Sequence, residues 1–288
     1  MQPHWRKLSA VVLWAGLAQG CSGADLRDRG FDRMKFVDDS AVEGGDDGIA
    51  DSALEPIARV RVPVRPRNVG RNGLPDANLP AAQCANASGR DGPAHSLGAV
   101  TSGSLDNACQ LPVSGPGYRS TNKNGFGTDE TIALLQRAGQ QLNQQFQGTT
   151  PLIIGGISKP EGGFYPPHKS HQSGRDVDIG YPLTIRGGAK HFVPTDSGNI
   201  DTERLWAVLE ALLTTGKLSF VFMDYELQSL LYDDLLAVGY REEQLEPLFQ
   251  YPAGPAVPRG LIRHAAGHAD HFHVRFRCPD GDKPMCQD

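Results

Sequence analysis

A chain of 288 residues has room for one large domain or two small ones, and 39% of its residues are hydrophobic. The formal net charge of −5 comes with no basic cluster, which argues against nucleic acid as a partner. Aromatic residues make up only 7%, a share held down by an opening quarter poor in core-forming side chains.

His4, Arg6 and Lys7 precede an apolar run from Leu8 to Leu17, the pattern of a secretory signal. The run is too short for a permanent bilayer helix, which takes ~20 apolar residues. It ends at Ala18-Gln19-Gly20-Cys21, which resembles the lipobox of bacterial lipoproteins; ordinary cleavage near the same point is the alternative. Residues 1–20 are therefore predicted to be a lipoprotein-type signal peptide, with Cys21 as an acylated first residue anchored to a membrane. Residues 21–60 hold ten acids against five basic residues and show no sustained apolar period, and residues 61–80 carry four prolines. Such a composition cannot bury enough surface to offset its ordering entropy, so residues 21–80 are predicted to be a disordered acidic and proline-rich tether.

Residues 81–288 are predicted to form the folded domain. Cys84, Cys109, Cys278 and Cys286 fall within it, and an even number in an exported chain points to two disulfides. Three pairings are possible, and the closeness of Cys278 to Cys286 favours Cys84–Cys109 with Cys278–Cys286. A zinc site made of these four is the rival, but the chain has no Cys-x-x-Cys pair.

Residues 84–127 are rich in Gly, Ser, Asn and Pro and read as loops stapled by a disulfide. A helix is expected over 129–146, with Thr128 as N-cap and Asp129 and Glu130 at its positive end. Its apolar positions Leu135, Ala138, Leu142 and Phe146 recur at three- and four-residue steps. Pro151 to Ile157 reads as a buried strand, followed by a Gly/Pro-rich loop and a strand through Asp176–Tyr181. Asp201 should cap a second helix that ends at Gly216, Leu218–Met223 a strand, and Tyr225–Val238 a third helix stopped by Gly239. A final strand is expected near 270–277. These elements do not alternate as a parallel βαβ array. The predicted class is α+β, a small antiparallel sheet flanked by helices and long loops.

Seven of the nine histidines lie between His168 and His273, and five of them form two compact groups. His168-Lys-Ser-His171 leads to Asp176-Val-Asp178, and His268-Ala-Asp-His271-Phe-His273 follows about ninety residues later. A His-x6-Asp pair joined to a His-x-His pair offers the imidazole and carboxylate ligands expected of catalytic zinc, which takes three protein ligands and leaves a position for water. Strand alternation puts His271 and His273 on one face with Phe272 and Val274 on the other, and treats Asp176 and Asp178 likewise. Asp176 has two readings, a carboxylate orienting a histidine ligand or a solvent-exposed group. Arg175 also has two, a substrate carboxylate site or a surface salt bridge. His4, His95 and His264 read as structural or solvent-facing.

Ser170-His171-Gln-Ser-Gly-Arg-Asp-Val-Asp178-Ile and His268-Ala-Asp-His271-Phe-His273-Val-Arg-Phe-Arg-Cys278-Pro closely resemble the penicillin-insensitive murein endopeptidases. That family belongs to a wider group of lysostaphin-type, D-Ala-D-Ala-cleaving and hedgehog-like zinc domains. Ser104-Leu-Asp-Asn-Ala-Cys109 adds to the likeness, which covers roughly residues 96–288. The resemblance implies that His171, Asp178 and His273 hold Zn2+, and that His168 is an additional metal ligand. It implies that His271 sits beside the metal as base or transition-state stabiliser, with His268 a further active-site histidine. One departure stands out: the family's Asp-x-x-His pair for a second metal keeps its histidine as His191 but has Gly188 in the aspartate position, so no second metal is predicted there.

The implied activity is hydrolysis of D-alanyl-diaminopimelate amide cross-links in peptidoglycan, in the periplasm or cell envelope, by metal-activated water. Two alternatives share the same zinc domain: a cell-wall or protein binding module without turnover, and a carboxypeptidase removing D-alanine from stem peptides. A base beside the metal favours turnover over binding alone. A chain begun at residue 81 is expected to fold and to keep its activity on soluble muropeptides, compared with the full chain by circular dichroism and product release. Loss of folding with both disulfides intact would make residues 21–80 part of the core.

Overall fold

Short strands, rather than loops alone, occupy the disulfide-stapled region 84–127. They are β1 (Ala85–Asn86), β2 (His95–Leu97), β3 (Ser104–Asp106), β4 (Cys109–Gln110), β5 (Ser114–Gly115), β6 (Tyr118–Ser120) and β7 (Phe126–Gly127). Strands of two or three residues leave too little alternation to be seen in sequence. The computed structural model describes residues 81–185 and 188–288. The expected signal peptide, the tether and Cys21 lie outside the described residues. Disulfides join Cys84 to Cys109 and Cys278 to Cys286, the favoured pairing.

The first helix, α1 (Asp129–Gln145), starts where Thr128 caps it: the Thr128 side chain accepts a hydrogen bond from the Thr131 N–H. Leu135, Ala138 and Leu142 are all buried on its inner face. Next come β8 (Leu152–Ile154), shorter than expected, and β9 (Asp176–Gly180). Asp201 caps α2 (Thr202–Leu213) by accepting from the Arg204 N–H. β10 (Leu218–Met223) leads into α3 (Tyr225–Ala237), which ends at Gly239 with φ 99°. The short α4 (Glu242–Leu245) and β11 (Ile262–His264), both absent from the sequence reading, precede β12 (His271–Phe276).

The class is α+β, and β9 and β12 pair antiparallel. They belong to a sheet of seven strands in the order β11-β10-β12-β9-β8-β6-β5, in which β10/β11 and β6/β8 are parallel pairs. The sheet around the candidate ligands is thus larger and more mixed than a small antiparallel one. Small sheets β1-β4-β7 and β2-β3 accompany it. Val177, Ile179, Phe272 and Val274 face the main core together with residues of α1, α2 and α3. Burying Phe272 and Val274 contributes about 1.5–3 kcal/mol each. A one-residue slip of β12 would exchange them for His271 and His273, so core burial fixes the register that the polar face depends on. Among the described residues no helix is long and apolar enough to cross a membrane.

Candidate metal centre

Across the paired strands, His273 stands opposite Asp178, Arg275 opposite Asp176, and His271 opposite Gly180. Directly opposed residues in an antiparallel pair are nearest neighbours on one face. The two-strand ladder therefore sets an imidazole against a carboxylate, and a guanidinium against another carboxylate one step along. Asp176, Asp178 and His273 are all buried.

His171 comes from the loop between β8 and β9. Its backbone is left-handed, with φ 63°, which costs a residue with a Cβ roughly 1–2 kcal/mol. Two contacts hold it there: its N–H donates to Asp176 Oδ2 at 3.3 Å, and its ring Nδ1 donates to the Ile157 carbonyl at 2.9 Å. With the proton on Nδ1, the other ring nitrogen presents a lone pair. That Nε2 lies 3.3 Å from Asp178 Oδ1 and 3.2 Å from His273 Nδ1, and His273 Nδ1 lies 3.2 Å from Asp178 Oδ1. Asp178 Oδ1 makes no hydrogen bond although it is fully enclosed.

Three atoms that bind cations thus converge on one small triangle. Ligands about 2.0 Å from a tetrahedral zinc stand about 3.3 Å apart, so this spacing fits such an ion. Half-buried His168 adds a fourth group, its Nε2 3.9 Å from Asp178 Oδ2, and His168, His171 and Asp178 each offer an atom within 4.8 Å of the others.

Electrostatics point the same way. Burial alone would raise the Asp178 pKa, but His171 and His273 beside it hold it well below the usual carboxylate range. Burial opposes charge on His273, yet Asp176 and then Asp178 push its pKa up to about 9. A cluster of this kind requires positive charge, from a proton or a metal ion, and metal binding there displaces the proton. Burial, then the adjacent His171, lowers His168 to about 4, so it is a neutral imidazole able to ligate.

Asp176 resolves in favour of its buried reading. It pairs with Arg275 Nε at 3.0 Å and lies 3.4 Å from His273 Nε2, so one carboxylate touches both the His171 backbone and the His273 ring. Arg275 has its guanidinium carbon 5.5 Å from the Phe222 ring, and Phe222 faces His273 across β10 and β12. Arg175 follows neither sequence reading. It is buried, donates to Ser96 Oγ at 3.0 Å and the Phe276 carbonyl at 3.0 Å, and holds Gln287 and Asp288.

His271 lies at the edge of the cluster, with Nε2 3.8 Å from Asp178 Oδ1. His268 is buried, its Nδ1 2.9 Å from the Ala266 carbonyl and its ring centroid 4.9 Å from that of His271. Burial, then His271 and His273, lowers its pKa to about 4. His95 meets Asp282 at 2.6 Å, and His264 accepts from the Tyr225 N–H, both structural roles. His191 is exposed, and His4 lies outside the described residues. Sequence reasoning missed two neighbours of His271. Asp270, inside the second motif, was visible as an acid beside a histidine. Phe192 sits in a loop whose sequence carries no local signal.

The family model described as penicillin-insensitive murein endopeptidase matches residues 96–207, a span that takes in His168, His171 and Asp178. Proteins named penicillin-insensitive murein endopeptidase are similar over most of the folded chain. The one from Klebsiella pneumoniae subsp. pneumoniae is 27% identical over 215 residues, covering 68% of this chain and 71% of the relative. The one from Haemophilus influenzae is 29% identical over 211 residues, covering 68% of each. A Salmonella arizonae relative is 27% identical over 214 residues, covering 68% and 71%. The matched span thus takes in β9 and the loop that carries His168 and His171, and the family model and the named relatives alike support the resemblance to the penicillin-insensitive murein endopeptidases.

Proposed function

We propose that the protein is a zinc-dependent murein endopeptidase that hydrolyses D-alanyl-diaminopimelate amide cross-links in peptidoglycan. One observation carries the reading: His171 Nε2, Asp178 Oδ1 and His273 Nδ1 converge at 3.2–3.3 Å in a chain that the murein endopeptidase family model matches over residues 96–207. His171, Asp178 and His273 would hold the ion, with His168 as an additional ligand. Zinc at that place supplies a Lewis acid and lowers the pKa of water toward neutrality. His271 then moves the protons: Nε2 takes one from the attacking water and returns it to the leaving amine. His268, with its proton given to the Ala266 carbonyl, offers Nε2 as an acceptor beside His271. We place this activity in the periplasm or cell envelope, with Cys21 as a lipid anchor to a membrane.

Purified protein incubated with sacculi should convert cross-linked dimers to monomeric muropeptides, with mass spectrometry identifying the cut bond. A chelator should stop release, added zinc should restore it, and penicillin should leave the rate unchanged because no serine is acylated. Release of free D-alanine alone would assign a carboxypeptidase instead. A zinc-replete protein that binds sacculi and releases nothing would be a binding module.

A further inference from the structure

We propose that Asp270 and Phe192 are positioning residues that hold the His271 ring in one tautomer and one orientation, an inference resting on the role given above to His271. Asp270 Oδ1 lies 2.6 Å from His271 Nδ1. An ionised carboxylate only accepts, so Nδ1 carries the proton and Nε2 keeps its lone pair on the side of the cluster, 3.8 Å from Asp178 Oδ1. Phe192 stacks on the same ring, centroid to centroid 4.9 Å with 12° between the planes. The hydrogen bond fixes where the protons sit, and the stack resists rotation of the ring out of its plane.

Phe192 reaches this place because two glycines make room. A Cβ on Gly155 would lie 2.5 Å from Phe192 Cζ, and one on Gly180 would lie 3.0 Å from its Cδ1. Gly180 is also the residue directly opposite His271 in the β9/β12 ladder. The side chain that strand pairing would set beside His271 is therefore missing, and Phe192, from the loop after β9, fills that space. The fit between a bare strand position and a distant aromatic ring gives the stack a structural reason.

The test is histidine-selective 15N–1H correlation NMR on the full chain, metal-free and zinc-loaded, alongside kcat and KM on dimeric muropeptides. Wild-type His271 should be a single species protonated at Nδ1. Asp270→Asn can donate its amide N–H to that nitrogen, so His271 should move toward the Nε2–H tautomer. In that variant kcat should fall about tenfold, with KM within about twofold and zinc content unchanged. Phe192→Ala and Gly180→Ala should each lower kcat a few-fold, and the double variant should be no worse than Phe192→Ala, because both changes remove one contact. Wild-type His271 protonated at Nε2 or divided between tautomers would overturn the proposal. So would wild-type kcat in Asp270→Asn, or additive losses in the double variant. The NMR result stands without turnover, so a fully active His271→Ala would remove the base role while leaving the positioning to be decided by the spectra.

Discussion

Asp178→Ala should leave the protein folded but without bound zinc, and murein cleavage should drop to background. Asp178 supplies the one carboxylate of the tight triangle, and its Oδ1 stands 3.2 Å from His273 Nδ1 and 3.3 Å from His171 Nε2. Without metal, its removal takes away one of the two carboxylates that favour a protonated His273, so some stability is lost there too. The two faces of β9 and β12 keep their packing, since Val177 and Phe272 face the core from the other side. Added zinc should therefore widen the gap in stability between the two forms. Zinc at a thousand times its Kd stabilises the wild type by ~4.1 kcal/mol. For a domain of ~150–250 residues this raises Tm by roughly 8–16 °C. Calorimetry with and without zinc should show that rise in the wild type and none in Asp178→Ala, and elemental analysis should find the variant empty. A variant that still carries one zinc per chain would place the metal elsewhere.

His271→Ala has the opposite signature: zinc and fold retained, cleavage lost by about 10²-fold or more. Its Nε2 is 3.8 Å from Asp178 Oδ1, and it stands opposite Gly180 rather than opposite a carboxylate. It shares a strand face with His273, which brings it to the rim of the cluster without making it part of the triangle. Zinc content and kcat measured on one preparation decide the matter. Joint loss of metal and activity would make His271 a ligand, and wild-type turnover would end its assignment as base.

Sequence alternation was enough to place the polar face, because β9 and β12 are five and six residues long and their period of two is uninterrupted. Thr128, Asp201 and Gly239 marked helix ends through chemistry that acts within one turn, and the structure has those ends in place. What the sequence withheld depends on contacts between distant segments. Arg175 looked like a surface cation, yet it is enclosed by Ser96, the Phe276 carbonyl and Asp288, partners 79, 101 and 113 residues away. Phe192 was silent for the same reason: its place is set by what Gly155 and Gly180 lack. The strands of 85–127 escaped notice because pairs such as Ala85–Asn86 with Cys109–Gln110 gain their order from partners rather than from local pattern.

The position of β12 bears on when the protein can become active. It is the last strand in the chain, yet it lies between β10 and β9 in the middle of the sheet. Until residues 271–276 have emerged and inserted, β9 and β10 each have an open edge, and Asp178 has no histidine opposite it. A nascent or interrupted chain therefore cannot assemble the triangle, however well its earlier helices have formed. Insertion of a late central strand also joins residues about a hundred positions apart, the kind of non-local pairing that slows folding and leaves edges open to misassociation meanwhile. Assembly of the triangle is thereby tied to the pairing of distant segments: a chain that lacks residues 271–276 keeps Asp178 without its opposing histidine.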